Sequence, residues 1–254
     1  ALVEEILLQP RWDEDEFARI KTKTINEIKR SDANPNVVAG RVYNKILYGE
    51  DHIFSYPNSG TVASVEAITI DDLKAFYNKN YSPSVSTFHV VGAISEANSK
   101  NSLASLGKNW ASKPVVIPSY PLENNRDKAS LYFVDIPGAK QSVINIGYIS
   151  MARTDKDFYP AEVMNYKLGG SFSGNVNLIL REEKGYTYGA RTGFNGSKIK
   201  GTFKATSSVR TNTTGESVSI FKEEIADYKN GVSQEDLDFT KNAMIKSNAR
   251  RFET

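Results

Sequence analysis

The sequence predicts an α+β protein, built of two-layer sandwiches in which a largely antiparallel sheet lies under a layer of helices. After residue 128, paired strand patterns and then paired helix patterns occur twice, which gives a repeated ββαα order. The strand patterns cover residues 131–136, 142–149, 186–194 and 201–209, and the helix patterns cover residues 157–168, 174–183, 215–229 and 234–250. A doubly wound parallel sheet would alternate single strands with single helices, so this order favours the antiparallel arrangement.

The first third of the chain is predicted to be mainly helical. Apolar residues recur at helical spacing over residues 17–28 and 37–47. Thr69, followed three residues later by Asp72, is typical of a capped helix start. Residues 86–92 alternate as a strand does and end at a glycine.

A proline-rich segment divides these two parts. Residues 114–128 contain three prolines and show no helical period, so they are predicted to be a linker. We therefore expect residues 1–113 to be the end of a first α+β domain whose beginning is missing. Residues 129–254 are expected to be a second such domain that lacks its own end.

Composition excludes several classes of function. The 32 basic and 30 acidic residues are interspersed, which leaves no charged footprint for nucleic acid or for an anionic membrane. No apolar run approaches the roughly 18 residues that a membrane-spanning helix needs. The absence of cysteine excludes thiol catalysis and disulfides.

The most informative segment is residues 180–189, LREEKGYTYG. It places Arg181 and Tyr188 on either side of a helix-to-strand turn at Gly185, where glycine permits a positive φ. A guanidinium and a phenol aimed at one point are donors that suit a substrate carbonyl oxygen. Neither group is a nucleophile or a base at neutral pH. The alternative is structural: an arginine favourable to a helix dipole and a tyrosine packed on a strand.

Several segments together resemble the insulinase/pitrilysin-type zinc metallopeptidase family, which includes the mitochondrial processing peptidases. They are residues 68–77 (ITIDDLKAFY), 81–83 (YSP), 90–92 (VVG), 168–174 (LGGSFSG) and 180–188. With residues 135–142 (DIPGAKQS), the chain is similar to the second, C-terminal, non-zinc half of two-half members from Bacteroidetes-like bacteria. Each segment is weak alone, whereas the ordered set is specific.

This resemblance implies two homologous halves that enclose a peptide-cutting chamber. One half holds the zinc on a His-x-x-Glu-His helix, whose glutamate is the general base. The other half supplies an arginine and a tyrosine that bind the substrate carbonyl, and by motif position these are Arg181 and Tyr188. The implied cofactor is zinc in the missing half, and none is expected on this chain.

The chain departs from the catalytic members of the family in its metal ligands. It has no His-x-x-Glu-His, and its two histidines, His52 and His89, lie far apart in sequence. Glu27 stands where the family has a downstream ligand glutamate, but Ile20 replaces a supporting glutamate. We interpret Glu27 as a solvated helix residue, His52 as a surface or loop-ordering residue and His89 as a structural strand residue.

Two functions follow as hypotheses. In the first, the chain is the substrate-binding half of a zinc endopeptidase, inactive alone and dependent on the zinc-bearing half in cis or in trans. In the second, it is a catalytically inactive paralogue that serves as a peptide-binding or assembly subunit. The resemblance suggests a periplasmic or cell-envelope location.

Overall fold

The computed structural model describes residues 2–120, 122 and 128–249, and these residues form two compact units. The first unit comprises the described residues up to 30 together with residues 58–120. The second comprises residues 31–57 and the described residues from 122 onward. The predicted linker, residues 114–128, lies partly outside the described residues, and the predicted domain boundaries near 113 and 129 stay predictions.

The regular structure of the first unit, over its described residues, consists of helices joined by irregular segments. Its helices are α1 (Leu2–Leu8), most of α2 (Glu14–Asp32), α4 (Val62–Ala67), α5 (Ile70–Asn80) and α6 (Glu96–Asn109). The strand predicted at residues 86–92 is wrong for this structure, which has no strand there. An alternating pattern indicates a segment that could form a strand, but a strand also needs a neighbouring strand with which to form hydrogen bonds.

The start of α5 has the predicted cap. The Asp72 backbone N–H donates to Thr69 Oγ1 at 3.2 Å, and the Asp72 carboxylate accepts from the Thr69 backbone N–H at 2.8 Å. These reciprocal bonds satisfy two donors that the first helical turn leaves without an intrahelical partner. The Thr69 hydroxyl also donates to the Asp72 carboxylate at 2.7 Å, and this bond, followed by that from the Thr69 backbone N–H, holds the pKa of Asp72 below its usual value.

Replacing Thr69 with Ala should lower the free energy of unfolding of the first unit by about 1 kcal/mol, because it removes this cap. Urea unfolding followed by far-ultraviolet circular dichroism measures the change. Thr87→Ala is the matched control, since Thr87 lies outside the helices. Equal effects of the two substitutions would contradict the capping role.

The second unit contains an antiparallel sheet with helices before, between and after its strands. Its elements are α3 (Pro35–Tyr48), β1 (Gln141–Ile149), α7 (Phe158–Asn165), α8 (Asn175–Asn177), β2 (Thr187–Asn195), β3 (Thr202–Arg210), α9 (Thr214–Asp227) and α10 (Gln234–Asn248). The strand order is β1-β3-β2, and both pairings are antiparallel. The α+β fold class is therefore confirmed.

One predicted strand of this unit is wrong. Residues 131–136 have no strand assignment, and Leu131 is 91% exposed. Their apolar alternation resembles that of β1, but they have no place in the β1-β3-β2 ladder. In the described structure the strand and helix order of this region is therefore βααββαα.

Residues 31–57 pack with the second unit because α3 lies against β1 and β3. The Tyr43 hydroxyl donates to the Phe203 carbonyl at 3.0 Å. A Cβ at Gly147 would lie 2.1 Å from that hydroxyl and 2.0 Å from the carbonyl, so this close approach requires glycine. Burial raises the pKa of Tyr43, which keeps the phenol protonated as a donor.

The core of the second unit lies between the sheet and the helices α8 and α9. Its buried residues are Ile144, Leu168, Val176, Leu180, Ala190, Phe203, Ala205, Val209, Ile220 and Phe221. Leu180 is the residue immediately before Arg181, so the core anchors the helical turn that carries the candidate site.

Candidate functional site

Arg181 lies in a π-helical turn, Leu178–Glu183, that continues α8. The wide turn is closed by a hydrogen bond from the Lys184 N–H to the Ile179 carbonyl at 2.9 Å. π-Helical turns are rare and are found frequently at functional sites. Here the turn buries Leu180 while the Arg181 side chain stays one-third exposed.

An aromatic ring supports the Arg181 guanidinium. The Phe172 ring lies beneath it, with 4.5 Å between Cζ and the ring centroid. Arg181 Nη1 lies 3.4 Å from Glu182 Oε1, and it has no hydrogen-bond partner among the described residues. Nη1 is buried, so stacking on Phe172 and the nearby Glu182 carboxylate orient the guanidinium, while one-third of the Arg181 side chain stays exposed to solvent.

Tyr188 lies in a β-bulge at the start of β2. The pairing with β3 shifts between Thr187 and Ala190, so three steps along β2 match two along β3. The Thr187 hydroxyl fixes the bulge, because it donates to the Ser208 carbonyl at 2.7 Å and accepts from the Gly189 N–H at 3.0 Å. Such a bulge redirects a side chain, and Tyr188 is 93% exposed.

The turn between these two residues has the predicted glycine. Gly185 has a φ of 62°, in the left-handed region, and the Tyr186 N–H donates back to the Leu180 carbonyl at 2.9 Å. The structure thus places Arg181 and Tyr188 on either side of one tight helix-to-strand turn. The exposure of Tyr188 does not fit the alternative of a tyrosine packed on a strand.

An exposed carboxylate braces the turn from α9. Glu216 accepts from the Tyr186 hydroxyl at 2.7 Å and from Lys184 Nζ at 3.0 Å. The hydrogen bonds from Tyr186 and then from Lys184 lower the pKa of Glu216, while Glu216 raises the pKa of both partners. The carboxylate therefore remains ionised, and the turn remains braced, at neutral pH.

The glycines of the segment before α8 allow close packing of the backbone. A Cβ on Gly169 would lie 2.7 Å from Val176 Cγ2 and 2.8 Å from the Thr192 backbone nitrogen. A Cβ on Gly174 would lie 2.7 Å from the Gly169 Cα. The loop therefore folds back on the end of the preceding helix, and each glycine permits a backbone contact that a side chain would prevent.

The candidate metal ligands are scattered. His52 is buried, so its predicted surface position is wrong. It stacks on Tyr48 with 5.0 Å between ring centroids and accepts from the Phe54 N–H through Nδ1, which agrees with the predicted loop-ordering role. His89 lies in a segment that forms no strand, and Glu27 is in α2, 3.8 Å from Lys23 Nζ. No three His, Cys, Asp or Glu side chains within the described ranges form a group that could hold a metal.

Several residues of this region escape sequence reasoning. Phe172 stacks on Arg181, Asn177 accepts from the Ala190 N–H and Thr187 accepts from the Gly189 N–H. Glu216 accepts from the Tyr186 hydroxyl, 30 residues away in the sequence. Of these residues, only Phe172 is conspicuous in the sequence, as an aromatic residue inside a loop of glycine and serine. The roles of the other three depend on tertiary contacts.

A family model identifies the class of protein to which this fold belongs. Residues 67–244 match the family model described as the peptidase M16 inactive domain. The chain belongs to this family, which is the non-catalytic half of M16 protease-like proteins. The resemblance inferred from the sequence motifs is therefore confirmed.

The descriptions of individual relatives are consistent with this family assignment. The chain is 26% identical over 208 residues to an uncharacterised zinc protease of Streptomyces coelicolor, a match that covers 79% of this chain and 44% of that protein. It is 25% identical over 194 residues to the probable inactive metalloprotease YmfF of Bacillus subtilis, covering 74% of this chain and 44% of that protein. The chain thus spans less than half the length of these curated relatives.

A solved structure shows the same fold. The peptidase M16 inactive domain from Pseudomonas fluorescens superposes with a TM-score of 0.87 at 26% identity. The match covers 95% of this chain and 58% of that one. Within the residues that the structure describes, no helix is both long enough and apolar enough to cross a membrane.

Proposed function

We propose that this chain is the substrate-binding half of a zinc-dependent endopeptidase, and that Arg181 and Tyr188 bind the carbonyl oxygen of the peptide bond to be cut. The observation that supports this most is the pair of donors on one turn: an exposed phenol in a β-bulge and a guanidinium that is stacked on Phe172 and belongs to a one-third exposed side chain. The substrate class is an extended peptide.

The physical chemistry of the pair fits a carbonyl that gains negative charge. Guanidinium N–H and phenol O–H groups donate more strongly as the oxygen becomes an oxyanion, so they stabilise the tetrahedral intermediate more than the substrate. The guanidinium is positively charged at every physiological pH. Stacking on Phe172 limits its rotation, which reduces the entropy lost on binding.

The same pair cannot hydrolyse a peptide by itself, because neither group activates water at neutral pH. The two histidines and Glu27 do not form a zinc site, so the chemistry of water activation must come from another chain or segment. We propose the homologous zinc-bearing half, in cis or in trans, as that partner. A periplasmic or cell-envelope location is part of the same proposal.

A second function is favoured by one relative. YmfF is described as a probable inactive metalloprotease, and this chain covers 44% of its length. In this alternative the chain binds peptides or assembles with a partner and supports no hydrolysis. The two functions differ in whether Arg181 and Tyr188 affect turnover.

The chain alone should bind no stoichiometric zinc and should cleave no peptide. Metal analysis after chelator treatment and zinc reloading, together with a fluorogenic-peptide assay, measures both properties. Addition of the zinc-bearing half should produce zinc-dependent cleavage. One tightly held zinc per chain, or cleavage by the chain alone, would contradict the proposal that zinc binding and water activation belong to another half.

A further inference from the structure

Asn177 connects the two parts of the candidate site. Its side chain is almost fully buried, with the whole residue 1% exposed. Nδ2 donates to the Phe172 carbonyl at 2.7 Å, and Oδ1 accepts from the Ala190 backbone N–H at 3.0 Å. A backbone carbonyl can only accept and a backbone N–H can only donate, so these partners fix the orientation of the amide.

Each end of this amide holds one donor in place. Phe172, whose carbonyl accepts from Nδ2, supports the Arg181 guanidinium through its ring. Ala190, whose N–H donates to Oδ1, is the first residue to resume pairing with β3 after the bulge that carries Tyr188. The glycine-rich loop and the start of β2 are thus joined through one side chain.

We propose that Asn177 is a positioning residue that sets the placement of Arg181 and Tyr188 relative to each other. The proposal rests on the proposed substrate-binding function of that pair. Two donors stabilise one oxygen only when both lie within hydrogen-bond distance of it, and a misplacement of about 1 Å can lower a rate by about 10²-fold. The two partners of Asn177 require one donor and one acceptor in the same side chain; leucine supplies neither, and aspartate supplies only the acceptor.

Asn177→Leu tests the proposal, because leucine has the same branched arrangement of heavy atoms and makes neither hydrogen bond. In the complete two-half protein, kcat should fall by about 10-fold to 10²-fold, with a smaller change in KM, since the loss falls on transition-state binding. In the isolated chain, the NMR signal of the Arg181 Nε–H should lose the ring-current shift that the Phe172 ring imposes. Phe172→Leu should remove the same shift and identifies the signal.

Asn165→Leu is the matched control. Asn165 is also buried, and it also joins a helix to β2, with Nδ2 donating to the Thr192 carbonyl at 2.9 Å and Oδ1 accepting from the Thr192 hydroxyl at 2.6 Å. Its bonds hold neither Phe172 nor the bulge. This variant should lose stability to a similar degree while its kcat and the Arg181 shift stay unchanged.

Asn177→Asp keeps the proposal testable if the leucine variant does not fold. The carboxylate retains an acceptor for the Ala190 N–H and loses the donor to the Phe172 carbonyl, so the Arg181 shift should disappear while the β2 amide signals remain. Retention of the Arg181 shift and of kcat in a folded Asn177 variant would overturn the proposal, as would an equal kinetic loss in Asn165→Leu. If Arg181→Ala left turnover normal, the substrate-binding function would fail, whereas the NMR shifts would still decide whether Asn177 positions the guanidinium.

Discussion

Replacing Arg181 with Ala in the complete two-half protein is expected to lower kcat by about 10²–10³, with zinc content and folding unchanged. Under the proposed function, the loss arises because a charged donor to the developing oxyanion disappears, while the zinc would be bound by the other half. Steady-state kinetics on a fluorogenic peptide, with the melting temperature and metal content recorded alongside, measures the effect.

Arg153→Ala is the control for this substitution. Arg153 also stacks on a phenylalanine, with its Cζ 5.3 Å from the Phe158 ring centroid, but lies outside the candidate site. Both variants therefore lose a cation–π contact of similar geometry, and only the Arg181 variant loses the proposed substrate donor. An equal fall in kcat for both variants would indicate a general structural effect.

Replacing Phe221 with Ala should destabilise the second unit by about 3–5 kcal/mol. Phe221 is fully buried in α9, within the core cluster that contains Leu180. Removal of its ring leaves a cavity between the sheet and the helices, and a loss of this size is a large part of the stability of an ordinary domain. Urea unfolding followed by circular dichroism measures the change.

Phe239→Ala is the matched control, because Phe239 also lies in a helix of the second unit, α10, but is 45% exposed. This substitution should change the free energy of unfolding by less than about 1 kcal/mol. Equal effects of the two substitutions would mean that the cluster around Phe221 is not the core of the second unit.

The sequence predicts this fold well wherever the signal is local. The cap at Thr69, the strands that pair as β1, β2 and β3, and the positive φ at Gly185 are all present in the structure. In these cases a residue and its near neighbours carry the signal, whether a side-chain cap, a two-residue period or a missing Cβ, although each strand also depends on its pairing partner.

The failures share one cause, which is dependence on partners distant in the sequence. Residues 86–92 and 131–136 have the alternation of strands but form no ladder in the described structure, since alternation cannot show whether a neighbouring strand exists. The packing of α3 with the second unit depends on the contact of Tyr43 with Phe203, 160 residues away.

The candidate site also has features that can be predicted from the sequence and features that cannot. Arg181 and Tyr188 are predictable because they lie close together in one motif. The bulge that redirects Tyr188 is not predictable, because it depends on which β3 residues pair with Thr187 and Ala190. Asn177 is not predictable either, since its amide bonds groups on two different elements.

A double-mutant cycle of Arg181→Ala and Tyr188→Phe in the complete protein tests the central claim most directly. If both donors act on one carbonyl oxygen, each single variant should lose about 10²–10³ in kcat, and the double variant should lose less than the product of the two. Near-normal turnover of Tyr188→Phe, or two losses that simply multiply, would contradict the claim that the two residues act together on the substrate.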